Sequence, residues 1–345
     1  MQHLEGEAGR ITRRRLIRLL AGAGLAAAGG RLVAAAPAGR LGGDIAPVHD
    51  PCIAACDGRY YVFSTGHVHE PEGLLPWRVS DDLFHWEYGG AAFEAIPGWA
   101  EEAVPGTRGL WAPDIVQVAG EYRLYYSCST FGSNRSVIGL ATNPTLDPAA
   151  PGYAWRDRGL VIRSLEGDDF NAIDPAYLVD RDGRHWLAFG SFWSGLKMVR
   201  LDPATGKPAS GAALHAIAAR PAPEGAPGAV EAPFLLERDG WYYLFASYDY
   251  CCRGTASSYY LVVGRSRRPL GPFTGRDGRS MLDGYGTVVL RGNRELRGPG
   301  HNAVLAEGNR HWLVYHAYDA QRDGVPTLRI SPITWTEDGW PTASL

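Results

Sequence analysis

The feature that most constrains this chain is a repeat, because one pattern of residues returns five times along the sequence. Each copy begins with a polar residue beside Pro or Gly, continues as an apolar stretch, passes a tight turn and ends in an aromatic stretch. The copies are HDPCIAACDGRYYVFSTG (49–66), LWAPDIVQVAGEYRLYYSCST (110–130), IDPAYLVDRDGRHWLAFGSF (173–192), VEAPFLLERDGWYYLFASYD (230–249) and GPGHNAVLAEGNRHWLVYHAYD (298–319). Even spacing of one unit indicates a repeat architecture.

The five turns and the residues that flank them predict β-hairpins. The turn dipeptides are Asp57-Gly58, Ala119-Gly120, Asp182-Gly183, Asp239-Gly240 and Gly308-Asn309. Asp-Gly and Gly-Asn favour the geometry of two-residue hairpin loops, and the flanking stretches are rich in Tyr, Trp, Phe and Val, as strands are. The turn glycines recur at intervals of 57 to 68 residues, which is enough for a four-stranded sheet with its loops. We therefore predict an all-β fold, a five-bladed β-propeller, in preference to a β-sandwich.

The polar residue that opens each copy is predicted to lie at the mouth of the propeller channel. The innermost strand of every blade lines this channel, so residues far apart in sequence converge there. The opening residues are Asp50, Asp114, Asp174, Glu231 and His301. Asp114 is offset by about two residues and follows Trp-Ala-Pro, so we expect a structural role in which it accepts hydrogen bonds from backbone N–H groups.

Three of the converging residues form a set that suits glycosidic bond hydrolysis. This reaction usually needs one carboxyl group that protonates the leaving oxygen and another that activates water or attacks carbon. A neighbouring carboxylate raises the pKa of the acid, because like charges disfavour ionisation. Asp50, Asp174 and Glu231 are the candidates. Each one alone would be read more simply as a turn or ion-pair residue, but their shared position in the repeats favours the catalytic interpretation.

The first 38 residues are predicted to be an export signal. The segment TRRRLIR (12–18) matches a twin-arginine signal, an Ala- and Gly-rich apolar run follows (19–28), and Ala36-Pro37-Ala38 offers a small-residue cleavage site. An uncleaved anchor is the alternative, but the run is too short and too rich in Gly to span a membrane. We expect residues 1–38 to be removed, leaving 39–345 as one secreted or periplasmic catalytic domain with no membrane partner.

Charge and cysteine content exclude two other classes of protein. The net charge is −3, and the predicted signal alone holds six Arg and two Glu, so the rest of the chain is more acidic still. That balance argues against a nucleic-acid partner. The five cysteines cannot all pair within the chain, and no C-x-x-C pair is present to indicate a thiolate zinc site. Cys56 is the candidate partner of Cys52.

Nine short segments, taken in their order along the sequence, resemble the motifs of a known family. The segments are VHDP (48–51), SDDLFHW (80–86), LWAPDI (110–115), STFGSNRSVIGLATNPTLDP (129–148), FNAIDP (170–175), GSFWSGLKM (190–198), VEAP (230–233), CCRG (251–254) and GPGHN (298–302). Together they resemble the endo-α-1,5-L-arabinanases of glycoside hydrolase family 43, and the resemblance covers nearly the whole chain after residue 38. It implies an inverting enzyme that cleaves internal bonds of arabinan, a polysaccharide of pectin side chains.

The resemblance also implies roles for individual residues. Asp50 matches the general base, Glu231 the general acid, and Asp174 the residue that orients the acid and tunes its pKa. His301 matches a histidine that reaches a metal ion, often calcium, held mostly by water in the channel. The positions that match substrate-binding ones are Trp111, Phe131, Asn171, Ala172, Ile173, Ser191, Phe192 and Trp193. Cys251 and Cys252 match a family pair that either forms a vicinal disulfide or stays reduced.

Two alternative functions remain at this stage. The first is another activity of the same family, an exo-acting α-L-arabinofuranosidase or a β-xylosidase, because the loops that block or open a cleft cannot be read from sequence. The second is a propeller that binds sugar without cleaving it. That interpretation predicts the loss of at least one of the three carboxylates, and all three are present.

Overall fold

A computed structural model describes residues 40–222 and 228–345 of the protein. The predicted signal peptide, residues 1–38, lies outside the described residues. The strands are β1 (Gly42–Gly43), β2 (Cys52–Cys56), β3 (Arg59–Phe63), β4 (Gly66–His67), β5 (Leu74–Ser80), β6 (His85–Phe93), β7 (Gly109–Val118), β8 (Glu121–Cys128), β9 (Ser136–Asn143), β10 (Arg156–Ser164), β11 (Ala176–Val179), β12 (His185–Phe189), β13 (Leu196–Leu201), β14 (His215–Ala218), β15 (Val230–Arg238), β16 (Trp241–Tyr248), β17 (Tyr260–Ser266), β18 (Thr287–Arg291), β19 (Leu296–Glu307), β20 (Arg310–Asp319), β21 (Val325–Pro332), β22 (Thr334–Trp335) and β23 (Pro341–Thr342).

Helical structure is sparse in the described ranges. It comprises the helix α1 (Gly98–Ala103) and three short 3₁₀ turns, at Gly254–Ala256, Met281–Asp283 and Ala320–Arg322. Within the described residues, none of these helices has the length and apolar character needed to cross a membrane.

Strands β1 to β21 form five successive sheets, which are the five blades of a β-propeller, and β22 pairs with β23 in a separate two-stranded sheet. The strand orders of the blades are β1-β6-β5-β3-β2, β10-β9-β8-β7-β4, β11-β12-β13-β14, β15-β16-β17-β18 and β19-β20-β21. Each blade contains one copy of the sequence repeat as an antiparallel pair, for example β7 with β8 and β15 with β16. The predicted fold class is therefore confirmed.

Four of the five predicted hairpin turns have two-residue loops. Cys56 pairs with Arg59 and Val118 with Glu121, and β15–β16 and β19–β20 turn in the same way. The two-residue prediction is wrong in the third copy, where Val179 pairs with His185. There the Asp180 carboxylate accepts hydrogen bonds from the backbone N–H groups of residues 182 and 184, which stabilises a wider loop around Asp182-Gly183.

The described chain closes the ring by laying its first residues against the last blade. The N–H of Leu328 in β21 donates to the Ile45 carbonyl at 2.8 Å, and the N–H of Val48 donates to the Pro326 carbonyl at 2.9 Å. A core cluster that includes Trp86 of the first blade and Leu328 of the fifth fills the space between them. Pairing and burial thus join the two ends of the repeat.

One residue in each blade, either just before the inner strand or in its first half, adopts the left-handed conformation. These residues are Asp50, Ala112, Asp174, Ala232 and His301, with φ from 45° to 58°. Each backbone N–H donates to a side chain of the preceding blade at 2.8 to 3.1 Å, and the acceptors are, in the same order, His316, Thr65, Ser127, Asp174 and Ser247. The five blades therefore meet in a ring of side-chain-to-backbone hydrogen bonds around the channel.

Candidate active site

A cleft of about 1200 Å³ lies over the channel where the inner strands begin. Asp50, Asp174, Glu231 and His301 all line it, so the structure brings together the four residues predicted from the repeat and the resemblance. Glu231 directly precedes the left-handed residue of its blade, Ala232, and thus stands one position earlier in its repeat than Asp50 and Asp174 do in theirs.

Asp50 is surrounded by hydrogen-bond donors and imidazole rings. Thr65 Oγ1 donates to Asp50 Oδ2 at 2.7 Å, and His49 Nδ1 lies 2.8 Å from the same oxygen. His301 Nδ1 lies 3.2 Å from the other oxygen, Oδ1. Burial raises the pKa of Asp50, but the imidazole groups of His49 and His301 that face its two oxygens outweigh burial and hold it well below its usual range. This carboxyl group is therefore held ionised.

Glu231 has a different environment, made of two hydroxyl groups. Ser191 Oγ donates to Glu231 Oε2 and Tyr259 OH donates to Oε1, both at 2.7 Å. Burial raises the pKa of Glu231 and the Asp50 charge adds to this, although the two hydroxyl donors oppose it. The result is a carboxyl group that keeps its proton at higher pH than an exposed glutamate does.

Asp174 shares the buried space with Glu231 and fixes the backbone beside it. Its Oδ2 accepts the N–H of Ala232, the residue after Glu231, at 3.0 Å. Burial raises the pKa of Asp174 to about 8, with the charge of Glu231 adding and that of His301 opposing. Because two neighbouring buried carboxylates repel each other, the pair retains a proton around neutral pH.

His301 supplies positive charge among these acids. Burial disfavours its protonation, but Asp50, Asp174 and Glu231 together raise the pKa of His301 to about 9. Its Nδ1 faces Asp50, and no protein partner of its Nε2 is found in the described ranges.

Asp114 has the structural role expected for it. Its Oδ2 accepts the backbone N–H of Tyr177, at the start of the neighbouring blade, at 2.6 Å. Burial raises its pKa to about 7, and the backbone donors Tyr177 and Ile115 oppose this. The carboxyl group thus joins two blades and is absent from the cleft lining.

Most of the predicted substrate-binding residues line the cleft. They are Trp111, Phe131, Asn171, Ile173, Ser191, Phe192 and Trp193. The Phe131 ring is 80% exposed and lies 5.7 Å from the Trp111 ring, between centroids, while Phe192 lies 6.0 Å from Tyr250. Exposed apolar rings in a concave site suit the flat apolar faces of sugar rings.

Ala172 is the exception among these residues, because its side chain does not reach the cleft. It is fully buried in a core cluster with Phe189 and Leu187, and its N–H donates to Ser164 Oγ at 2.8 Å. A second residue has a different partner from the one expected: the Ser191 hydroxyl is engaged by Glu231. Asn171 is also buried, and its Oδ1 accepts a hydrogen bond from Ser136.

Cys251 and Cys252 form a vicinal disulfide at the edge of the cleft, which resolves the alternative left open by the sequence. Cys52, Cys56 and Cys128 are free and buried, so pairing of Cys52 with Cys56 is wrong. These two residues begin and end the same strand, β2. Four strand residues span ~13 Å, far beyond the ~7 Å between Cα atoms that a disulfide tolerates.

Sequence reasoning missed several residues that contact the carboxylates directly, as His49 and Tyr259 do, or through one neighbour, as Tyr318 does. His49 adjoins Asp50 in the HDP motif and Tyr318 lies in the fifth copy of the repeat, so position could have suggested both. Tyr259 follows the CCRG segment outside the repeats, and no signal in the sequence indicates that its hydroxyl reaches Glu231.

Comparison with known proteins places the chain among relatives of one enzyme family. The sequence model of Glycosyl hydrolases family 43 matches residues 46–341. The "Extracellular endo-alpha-(1->5)-L-arabinanase 1" of Bacillus subtilis is 42% identical over 296 residues, which cover 86% of this chain and 87% of that protein. The "Extracellular exo-alpha-(1->5)-L-arabinofuranosidase ArbA" of Cellvibrio japonicus is 41% identical, covering 85% of each. The solved Cellvibrio cellulosa α-L-arabinanase complexed with arabinohexaose superimposes with a TM-score of 0.81 at 40% identity, covering 87% of this chain and 96% of that one.

Proposed function

The chain belongs to glycosyl hydrolases family 43, and from that membership we propose that it is an endo-1,5-α-L-arabinanase that cleaves internal α-1,5-L-arabinofuranosyl bonds of arabinan. The observation that carries the proposal is the convergence of three buried carboxyl groups from three blades in one aromatic-lined cleft. A protein that only binds sugar has no use for three buried acids, because burying each of them costs free energy.

The proposed mechanism is a single displacement with inversion. Asp50 takes a proton from a water molecule as the water oxygen attacks the anomeric carbon. Glu231 gives its proton to the glycosidic oxygen as the bond from that oxygen to the anomeric carbon breaks. Asp174 holds the Ala232 backbone next to the acid, and the repulsion between the two buried carboxyls favours a pair that keeps one proton, which Glu231 can then donate. The opposite pKa directions of Asp50 and Glu231 suit a base and an acid that work at one pH.

Exo action on the same bonds is the second candidate. A relative 41% identical to this chain is named as an exo-acting enzyme, whereas other relatives of similar identity are named as endo-acting. The β-xylosidase alternative has no such support among the relatives named above.

Incubation with linear, debranched arabinan tests the proposal and separates the two modes. We expect mixed arabino-oligosaccharides in the first minutes, as chromatography of the products would show, and an inverted anomeric centre in the first product by proton NMR. Release of a single short product from the start would indicate exo action. A retained anomeric centre would contradict the proposed single displacement.

The proposed roles of Asp50 as the base and Glu231 as the acid predict different responses of the two variants to a better leaving group. Glu231→Ala and Asp50→Ala should each lower kcat on arabinan by ~10²- to 10⁴-fold, the usual contribution of general acid or base catalysis. An arabinofuranoside with an acidic phenol as leaving group needs little protonation, so it should restore turnover in Glu231→Ala and not in Asp50→Ala. The reverse pattern of recovery would exchange the two roles.

The proposed role of Asp174 predicts the direction in which the pH profile of activity shifts when this carboxyl group is removed. Glu231 must be protonated to act, so activity falls on the alkaline side as Glu231 ionises. Asp174→Asn keeps an oxygen for the Ala232 N–H but removes a neighbouring charge that disfavours this ionisation. The pKa of Glu231 therefore falls, and the alkaline limb of kcat/KM should move to lower pH, on the order of one unit. Asp114→Asn, at a buried carboxyl outside the cleft, is the control and should leave the limb in place. A limb that moves upward in Asp174→Asn would contradict this role.

We also propose that one metal ion, calcium in the first instance, binds beside His301 and keeps most of its water. Among the described residues, two clusters bring three possible metal ligands together, and both contain His49. His301 is in neither cluster, so it offers a metal ion a single nitrogen. Calcium prefers oxygen ligands and a ligating imidazole must be neutral, so the ion would be held mainly by water. Its positive charge near Asp50 would then replace the proton that His301 carries without the ion. Purified protein should contain about one ion per chain and His301→Ala should contain much less; equal metal content would reject His301 as a ligand.

We also propose that the protein is exported from the cell that makes it. The relatives from Bacillus subtilis and Cellvibrio japonicus are named as extracellular, which supports secretion of this chain. The TRRRLIR segment supports the twin-arginine route for it, with residues 39–345 as the mature domain. N-terminal sequencing of the exported protein should give a start near Gly39, and a start before Arg13 would contradict cleavage.

A further inference from the structure

A chain of hydrogen bonds leads from the Cys251–Cys252 disulfide to the carboxylate of Asp50. We propose that Tyr318 is a positioning residue for Asp50, acting through His49, and that the vicinal disulfide holds Tyr318 in this role. The inference rests on the proposed function of Asp50 as the base, and it adds a redox-sensitive support to it.

Three contacts make up this chain. Cys252 N–H donates to Tyr318 OH at 2.7 Å, Tyr318 OH lies 2.7 Å from His49 Nε2, and His49 Nδ1 lies 2.8 Å from Asp50 Oδ2. The partners come from a loop of the fourth blade, from β20 of the fifth and from the first. The contacts therefore join three segments of the polypeptide that are distant in sequence.

The direction of these bonds follows from the number of protons available. A backbone N–H can only donate, so Cys252 occupies a lone pair of the Tyr318 oxygen. The phenol then has one proton, and His49 Nε2 is the acceptor beside it. If Nε2 accepts, the neutral imidazole carries its proton on Nδ1, which faces Asp50. Tyr318 thus selects the tautomer in which His49 donates to Asp50.

Packing fixes the rings that transmit this preference. Tyr318 is only 2% exposed, and its ring centroid lies 5.8 Å from that of His49 and 5.3 Å from that of His316. The His49 and His316 rings stack at 4.0 Å. Because neither the phenol nor the imidazole can turn away, loss of the Tyr318 hydroxyl leaves the rings in place and removes only the hydrogen bonds.

The disulfide acts on the backbone N–H of Cys252, which is the first donor in this series of hydrogen bonds. Cys252 has φ 63°, a left-handed conformation that a residue with a side chain adopts at a cost, and the covalent ring with Cys251 restricts its escape. An external dithiol can donate two electrons and two protons to this exposed bond, giving two cysteine thiols and the oxidised cyclic dithiol. Cys252 is then free to relax, and its N–H leaves Tyr318.

The first test replaces the hydroxyl alone. Tyr318→Phe should lower kcat on debranched arabinan by about tenfold, less than the ~10²- to 10⁴-fold expected for loss of the base itself, with KM changed less than twofold because the rings stay in place. Tyr315→Phe is the matched control: it lies on the same strand and its hydroxyl bonds to Ser331 at 3.1 Å outside the cleft. An unchanged kcat in Tyr318→Phe, or an equal fall in the control, would overturn the inference.

The second test asks whether the disulfide acts through Tyr318. Reduction with dithiothreitol, or Cys251→Ser combined with Cys252→Ser, should lower kcat as Tyr318→Phe does, and should cause no further fall in the Tyr318→Phe protein. The other three cysteines are already free, so reduction changes one bond in the described residues. A wild-type kcat that survives reduction, or falls that multiply, would reject a shared path.

The tautomer of His49 provides a readout that needs no turnover. Nitrogen NMR of the labelled imidazole should show a protonated Nδ1 in the oxidised protein and a mixture of tautomers in Tyr318→Phe. If debranched arabinan is not cleaved but this change occurs, the proposed function fails and the positioning inference stands. If arabinan is cleaved and the tautomer is the same in both proteins, the positioning inference fails alone.

Discussion

The site depends on one backbone constraint, the left-handed residue before or in the first half of each inner strand and the hydrogen bond that joins it to the preceding blade. A non-glycine residue pays a conformational cost of about 1 kcal/mol or more for this geometry, and the bond from its N–H offsets part of it. The bend carries the side chains of Asp50, Asp174 and His301 into the cleft. Strain of this kind is common at functional sites, where the surrounding structure enforces it. Asp174 takes part twice, as the left-handed residue of its own blade and as the acceptor for the next.

Partners, more than burial, distinguish the carboxyls that this ring assembles. All three are largely buried, but Asp50 meets imidazole rings, Glu231 meets two hydroxyls, and Asp174 meets one backbone N–H. The imidazoles lower the pKa of Asp50, and burial raises the pKa of Glu231 and Asp174. A charged base and a protonated acid can thus coexist in one cleft without a change in residue type.

The sequence predicted the blades and the carboxyls well because both follow from regular spacing. Hairpin turns recur with each blade, and the polar residue before each inner strand must face the channel. What escaped prediction depends on contacts between distant segments. Tyr259 reaches Glu231 from a loop that no repeat contains, Asp180 widens one turn by hydrogen bonds to the backbone, and Ala172 points into the core although its neighbours line the cleft. Periodicity cannot report such contacts, because each depends on how the loops between strands fold.

The fifth blade, which contributes none of the three catalytic carboxyls, lies between the blade of the proposed base and that of the proposed acid. It is tied to the acid's blade by the bond from His301 N–H to Ser247 and to the base's blade by the bond from Asp50 N–H to His316. The chain start reinforces the second junction by pairing with β21. An inverting enzyme must keep its two carboxyls far enough apart to admit a water molecule, whereas a retaining enzyme holds them closer. The fifth blade is bonded to the blades of both acids and therefore helps to fix their relative position, and its His301 and His316 place imidazoles beside Asp50.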